Sequence, residues 1–207
     1  AFLQEGRSFA SGSYAPALMK GDALSEAERG QVLDKLVAYT GLSRDYWQKA
    51  DLRVNEPQFT AELTRNEREE VGRLDSRYKG ISMDPLAEYS NTDPQSDAIS
   101  PAYIAAFMNY YTTDLKVDKQ LTYNTSAYSL AGFHWNWKHS MSDGLFGDAS
   151  MPSTAPDLAN AMTKNPRLKI MVMNGYFDLA TPFFGTEYTF SHLGIAPGLK
   201  KNISLKY

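Results

Sequence analysis

The chain predicts an α/β fold, with a mainly helical stretch leading into a short C-terminal piece of parallel sheet. Three observations carry this: capped apolar periodicity of helical type over residues 1–68, an almost unbroken apolar run at 168–173, and helix-strand-helix-strand order from Pro156 to Tyr207. At 207 residues, with 43% hydrophobic and 22% charged side chains, the composition is that of a globular chain able to bury a core.

The clearest helix starts at Ser25. Ser25-Glu26-Ala27-Glu28 has capping-box spacing, and Val32, Leu33, Leu36 and Val37 then share one face. Gly41 predicts the stop, because glycine takes the left-handed conformation at C′ while Leu42 folds back on the last turn. Ser43 predicts the cap of a shorter helix carrying Tyr46 and Trp47, and Asn55 with Pro57 opens a third with Phe59 and Leu63. The helical spacing fails around residues 71–78. A turn-rich segment follows over 79–99, either a short ribbon with a long loop or a lid. Ser100-Pro101 predicts the start of a further helix with Ile104, Phe107, Met108 and Tyr111 facing inward. Residues 120–150 are rich in Ser, Gly and aromatics and predict no definite element.

A helix over 156–164 ends at Asn165-Pro166, since the residue before proline disfavours the α region. The apolar run at 168–173 then predicts a parallel strand covered on both faces. A helix from about Pro182 to Leu193 ends at Gly194, and the alternation at 203–207 predicts a second strand. Two parallel strands are a fragment of a sheet, so the rest is expected outside this chain. The last strand should leave an apolar edge prone to self-association.

Composition narrows the functional classes. The net charge of −3, without a Lys/Arg run, argues against nucleic acid or an anionic membrane surface as partner. No apolar stretch is long enough for a membrane span, and no leader pattern is visible. Without cysteine there are no disulfides, zinc-thiolate sites or cysteine nucleophile. No His pair stands at metal-ligand spacing with a carboxylate and no glycine-rich phosphate loop occurs, so neither metal nor cofactor is expected. The 13 Tyr and 10 Phe are spread along the chain, as core and surface rings or as an aromatic-lined cleft.

One residue is placed for chemistry. Reacting groups in open parallel sheets collect beyond the carboxyl ends of strands. Asp178 lies there, after Asn174-Gly175-Tyr176-Phe177 and before Thr181-Pro182; it either caps the following helix or serves as a catalytic acid.

Residues 165–183, with Asn165-Pro166, the apolar run, Asn174-Gly175-Tyr176-Phe177-Asp178 and Leu179-Ala180-Thr181-Pro182-Phe183, resemble the acid-bearing segment of serine carboxypeptidases of the bacterial branch. The likeness extends to Tyr14-Ala15-Pro16-Ala17-Leu18, to Val71-Gly72-Arg73-Leu74-Asp75-Ser76-Arg77 and to Trp135-Asn136-Trp137. The resemblance implies a partial α/β-hydrolase, with residues 1–150 a mainly helical cap-like insertion and 151–207 the C-terminal part of the core. It implies Asp178 as the acid of a Ser-His-Asp triad, cofactor-free release of C-terminal residues from peptide substrates, and a secreted or periplasmic location.

The chain departs from that pattern in lacking a Gly-x-Ser-x-Gly elbow. Ser11-Gly12-Ser13 and Ser142 have neither the glycine spacing nor a preceding strand. His192 is expected to be an ordinary surface or packing residue, and His134 and His139 hydrogen-bonded, partly buried imidazoles rather than bases. With nucleophile and base absent, the chain alone is expected to be inactive. The alternatives are a non-catalytic peptide- or partner-binding module, or an esterase or acyltransferase on a related scaffold.

Overall fold

A computed structural model describes residues 1–120, 122–140, 148–149 and 153–207. The chain is of mixed helix and sheet and divides into two compact units: Ala1–Asp97 with Phe177–Ala180, and Ala98–Tyr176 with Thr181–Tyr207.

In the first unit, α1 (Phe2–Phe9) continues through a widened turn (Ala10–Tyr14) into α2 (Ala15–Lys20). Within that turn the Ala15 N–H donates to the Ala10 carbonyl, five residues back. Proline supplies the reason: Pro16 has no N–H to give Gly12, and its ring would clash with that carbonyl in a regular helix.

Helix α3 (Glu26–Thr40) begins with the reciprocal box: Ser25 Oγ accepts the Glu28 N–H at 3.3 Å, and the Glu28 carboxylate accepts the Ser25 N–H at 3.2 Å. It ends at Gly41, whose φ of +79° is the left-handed cap that the sequence predicts. Ser43 caps α4 (Arg44–Lys49), and Asn55 with Gln58 forms a second box on α5 (Glu56–Glu62). Val32, Leu33 and Leu36 of α3 pack with Ala17, Leu24, Leu42, Trp47 and Leu52 in one core. Trp47 is buried, and its indole N–H donates to Thr40 Oγ1 at 3.0 Å. After α4 the chain turns through Asp51 and Leu52, both at positive φ without being glycine. That costs about 1–2 kcal/mol per residue. Burial of Leu52, the Tyr14 hydroxyl donating to its carbonyl, and the pairing of Asp51 with Arg29 and Arg53 hold the turn.

Strands β1 (Glu69–Val71) and β2 (Lys79–Ile81) form an antiparallel ribbon, pairing Glu70 with Gly80. Of the two expectations for residues 79–99, the ribbon with a long loop is the one observed, and that loop is anchored. The Arg65 guanidinium donates to the Pro85 and Ala87 carbonyls, Ser90 Oγ donates to Thr60 Oγ1, and the Ser82 N–H donates to the Arg68 carbonyl.

Helix α6 spans Pro94–Thr113, its first turn belonging to the first unit. It therefore starts before Ser100-Pro101, and Pro101 lies inside it. The same cap-then-proline signal occurs one segment earlier: Asp93 Oδ1 accepts the Gln95 N–H at 3.1 Å, with Pro94 in the first turn. In the second unit the expected inward stripe is not formed. Ile104 is 42% and Phe107 38% exposed, because apolar and aromatic residues surround this helix and single out no face. Phe107, Tyr111 and Tyr123 pack on one another with ring centroids 4.9–5.5 Å apart.

Two-residue strands β3 (His139–Ser140) and β4 (Asp148–Ala149) pair antiparallel. Helix α7 (Ala155–Lys164) leads to β5 (Ile170–Met173), and α8 (Phe183–Ser191) and α9 (Pro197–Lys200) lead to β6 (Ile203–Lys206). The pair is parallel, Ile170 opposite Ile203 through Met173 opposite Lys206. Met162 of α7 is fully buried with Leu193 and Ile195, and Leu158, Leu168, Ile170 and Ile203 pack around them. Asn202 joins the strand entries: its side-chain amide donates to the Pro166 carbonyl and its own carbonyl accepts the Ile170 N–H. Cover on both faces is not observed, since Met171 and Met173 are 63% and 75% exposed while Ile170 and Val172 are half-buried. An unbroken apolar run does not by itself report which face is covered.

Candidate active site

Strand β5 delivers the chain to Asn174-Gly175, and the loop to α8 carries Asp178. Asp178 Oδ1 accepts the Ala180 N–H at 2.9 Å, closing a local Asx turn. Pro182 occupies the cap position of α8 and makes no side-chain cap bond there. The carboxylate is partly exposed at a strand-to-helix turn, where a carboxylate can face a reacting group.

In the second unit the two ends of this loop are fastened. The Asn174 N–H donates to the Lys206 carbonyl at 2.9 Å, and Asn174 Nδ2 donates to the Thr181 carbonyl at 2.9 Å. Tyr176 stacks on Tyr207 with centroids 4.7 Å apart and meets Phe183 edge-on.

Within the first unit, Phe177–Ala180 lies along the turn that joins β1 to β2. The Ser76 N–H donates to the Phe177 carbonyl at 2.9 Å, and the Leu179 N–H donates to the Arg73 carbonyl at 3.0 Å. Arg77 places its guanidinium 4.8 Å from the centre of the Phe177 ring, a cation–π distance. That turn is itself held. Arg77 pairs with Asp75, Arg73 pairs with Glu56 at 3.4 Å, and the Arg73 N–H donates to Asp93 Oδ1 at 3.1 Å. Two of the segments singled out by the family resemblance, around Gly72 and around Asp178, are thus hydrogen-bonded to each other. Sequence reasoning missed the backbone groups of Arg73 and Ser76 as the seat, because backbone donors leave no trace in residue type.

Gly72 has a specific task here. A Cβ on it would meet the Asp75 carbonyl oxygen at 2.5 Å and Gln95 Cβ at 3.0 Å. Gly72→Ala is expected to destabilise the first unit by about 1–3 kcal/mol and to speed amide exchange at Ser76 and Leu179. Calorimetry with hydrogen exchange checks this; an unchanged melting temperature would contradict it.

The electrostatics of the turn add a pH dependence. The Arg77 guanidinium beside Asp75 holds its carboxyl below the usual 3.8, mainly through the side-chain hydrogen bonds. A lowered folded value means a stabilisation that is complete above pH 3.8 and lost as pH falls through the lowered value. Exchange at Ser76 and Leu179 should accelerate in that acid window, and Asp75→Asn should show the same acceleration at pH 7. Equal exchange in that variant at pH 7 would remove the ion pair from the account.

The remaining candidates lie elsewhere. Ser11 and Ser13 sit in the widened turn after α1, where the Ser11 hydroxyl donates to the Arg7 carbonyl, so neither is on a strand-to-helix elbow. Ser142 falls outside the described residues. His192 is exposed at the end of α8, stacked on Tyr188 at 4.0 Å with Nδ1 2.7 Å from the Tyr188 carbonyl. His134 is exposed rather than partly buried; His139 belongs to β3, whose side chains are outside the description. The Tyr14 segment contributes to the first core, and Trp135 and Trp137 are exposed in the second unit. A groove of about 890 Å³ runs in the first unit past Phe9, Pro16, Ala17, Leu24, Val32 and Tyr39, and no residue of Phe177–Ala180 lines it. Among the described residues no group of three His, Asp or Glu could hold a metal ion, and no helix is long and apolar enough to cross a membrane.

No family model matches the chain, and no curated protein and no solved structure is detectably similar to it.

Proposed function

We propose that this chain carries the acid of an α/β-hydrolase that works by acyl transfer. More particularly, we read it as part of a serine carboxypeptidase that releases C-terminal residues from peptides in a secreted or periplasmic setting. The observation that carries this is the carboxylate of Asp178, presented at a strand-to-helix turn after the parallel strand β5 and closing an Asx turn onto the Ala180 N–H. The likeness of residues 165–183 to the family's acid-bearing segment adds the identity of the chemistry.

In that chemistry a serine Oγ attacks the scissile carbonyl while a histidine takes its proton and passes it to the departing amine. Water then cleaves the acyl ester. Asp178 holds the imidazole in the productive tautomer and stabilises its protonated form. This chain offers neither the serine elbow nor a histidine beside Asp178 in the sequence, so the reading assigns both to polypeptide beyond it. Asp178→Asn, made in the polypeptide that supplies both, tests the assignment by turnover.

One observation favours a second reading. Tyr128, Phe133, Trp135 and Trp137 form a ladder of rings 5.4–6.1 Å apart, with both tryptophans more than half exposed. Such a surface suits a binding module for peptides. The binding module would hold a peptide without cleaving it, whereas the hydrolase releases its terminal residue.

A further inference from the structure

We propose that Asn174 is the positioning residue of the loop that carries Asp178, an inference that rests on reading Asp178 as the acid. Asn174 is the first residue past β5, and its backbone N–H continues the ladder to the Lys206 carbonyl at 2.9 Å. Its side chain then turns along the loop, and Nδ2 donates to the Thr181 carbonyl at 2.9 Å, seven residues on. One residue therefore fixes the end of the strand and the far end of the loop together, with Asp178 inside the closed segment.

The amide accepts a cost to do this. Asn174 Oδ1 is buried without a hydrogen-bond partner, a state that buried polar atoms of proteins seldom adopt. Turning the amide over would point its oxygen at the Thr181 carbonyl oxygen and lose the bond. The observed orientation is the one that closes the loop.

Chemistry restricts the position to asparagine. Aspartate has the same size but, when ionised, no donor; serine is too short for the same reach; glutamine would overshoot it. Asn174 touches no reacting atom in this scheme and acts through the loop.

Amide exchange in this chain, in Asn174→Asp and in Asn174→Ala tests the bracket without reference to activity. Protection at Leu179 and Ala180 should fall about tenfold, as expected for a lost hydrogen bond, while Ile170 in β5 stays within twofold. In the polypeptide that supplies serine and histidine, Asn174→Asp should lower kcat at least tenfold with KM within twofold. Unchanged loop protection, or an equal loss at Ile170, would overturn the proposal. Loosened Leu179 and Ala180 with full turnover in Asp178→Asn would instead keep the bracket and overturn the acid reading together with its catalytic consequence.

Discussion

If the proposed reading holds, Asp178→Asn in the polypeptide that supplies serine and histidine is expected to cut kcat by about 10⁴, the scale on which loss of an orienting acid from a Ser-His-Asp system operates. The substitution removes the negative charge while keeping shape, and the side-chain oxygen can still accept the Ala180 N–H. Folding should therefore be nearly intact, and the melting temperature unmoved within a degree or two. The loss should appear in kcat and kcat/KM together, because the interaction with the protonated base exists only in the transition state. Turnover within tenfold of the parent would remove Asp178 from the triad. A comparable loss accompanied by unfolding would show that the Asx turn, not the charge, is what Asp178 supplies.

Trp47→Ala is expected to destabilise the first unit by about 3–5 kcal/mol. Trp47 is 5% exposed and packs with Leu33, Leu36, Leu42 and Leu52, so truncation leaves a cavity at the centre of the larger core. Thr40 would keep partners, since its hydroxyl also donates to the Leu36 carbonyl and accepts the Leu42 N–H. The cost is thus one of packing. Trp47→Phe, which keeps an aromatic ring and loses the indole donor, should cost about 1 kcal/mol for the hydrogen bond plus a cavity cost for the smaller ring, less in total than Trp47→Ala. Urea denaturation followed by far-UV circular dichroism separates the two; a loss under 1 kcal/mol for Trp47→Ala would mean that this core does not hold the unit together.

Local signals were the most legible part of the chain. Ser25, Gly41, Ser43 and Asn55 each act through side-chain or backbone bonds to residues within about four positions, and each stands where the sequence puts it. The start of α6 was not legible from the same logic, because Asp93-Pro94 and Ser100-Pro101 offer one signal twice and only the fold chooses. Burial was less legible still. Ile104, Phe107, Met171 and Met173 are apolar by composition yet exposed, since periodicity reports an apolar side chain and not the presence of something to cover it. The widened turn before α2 follows from Pro16 once seen but had no pattern pointing to it.

At the site, Asp178 was visible because a strand end, a loop and a helix start are all written locally. Its seat was not. The bonds from Ser76 and to Arg73 are made by backbone atoms about a hundred residues away in sequence, and the reach from Asn174 to Thr181 depends on how the loop closes. Residue types announce donors and acceptors on side chains, whereas the pairing of distant main-chain groups is set by the fold.

The most direct test of the central claim exposes peptides with free and with amidated C-termini to two polypeptides, this chain and the longer one encoded by extending its reading frame on both sides, with an active-serine phosphonate as probe. The account predicts that this chain releases nothing and takes no label. The longer polypeptide should bind the phosphonate at one serine and release the terminal residue from the free-acid peptide only. A longer polypeptide that takes no label and leaves both peptides whole would contradict it.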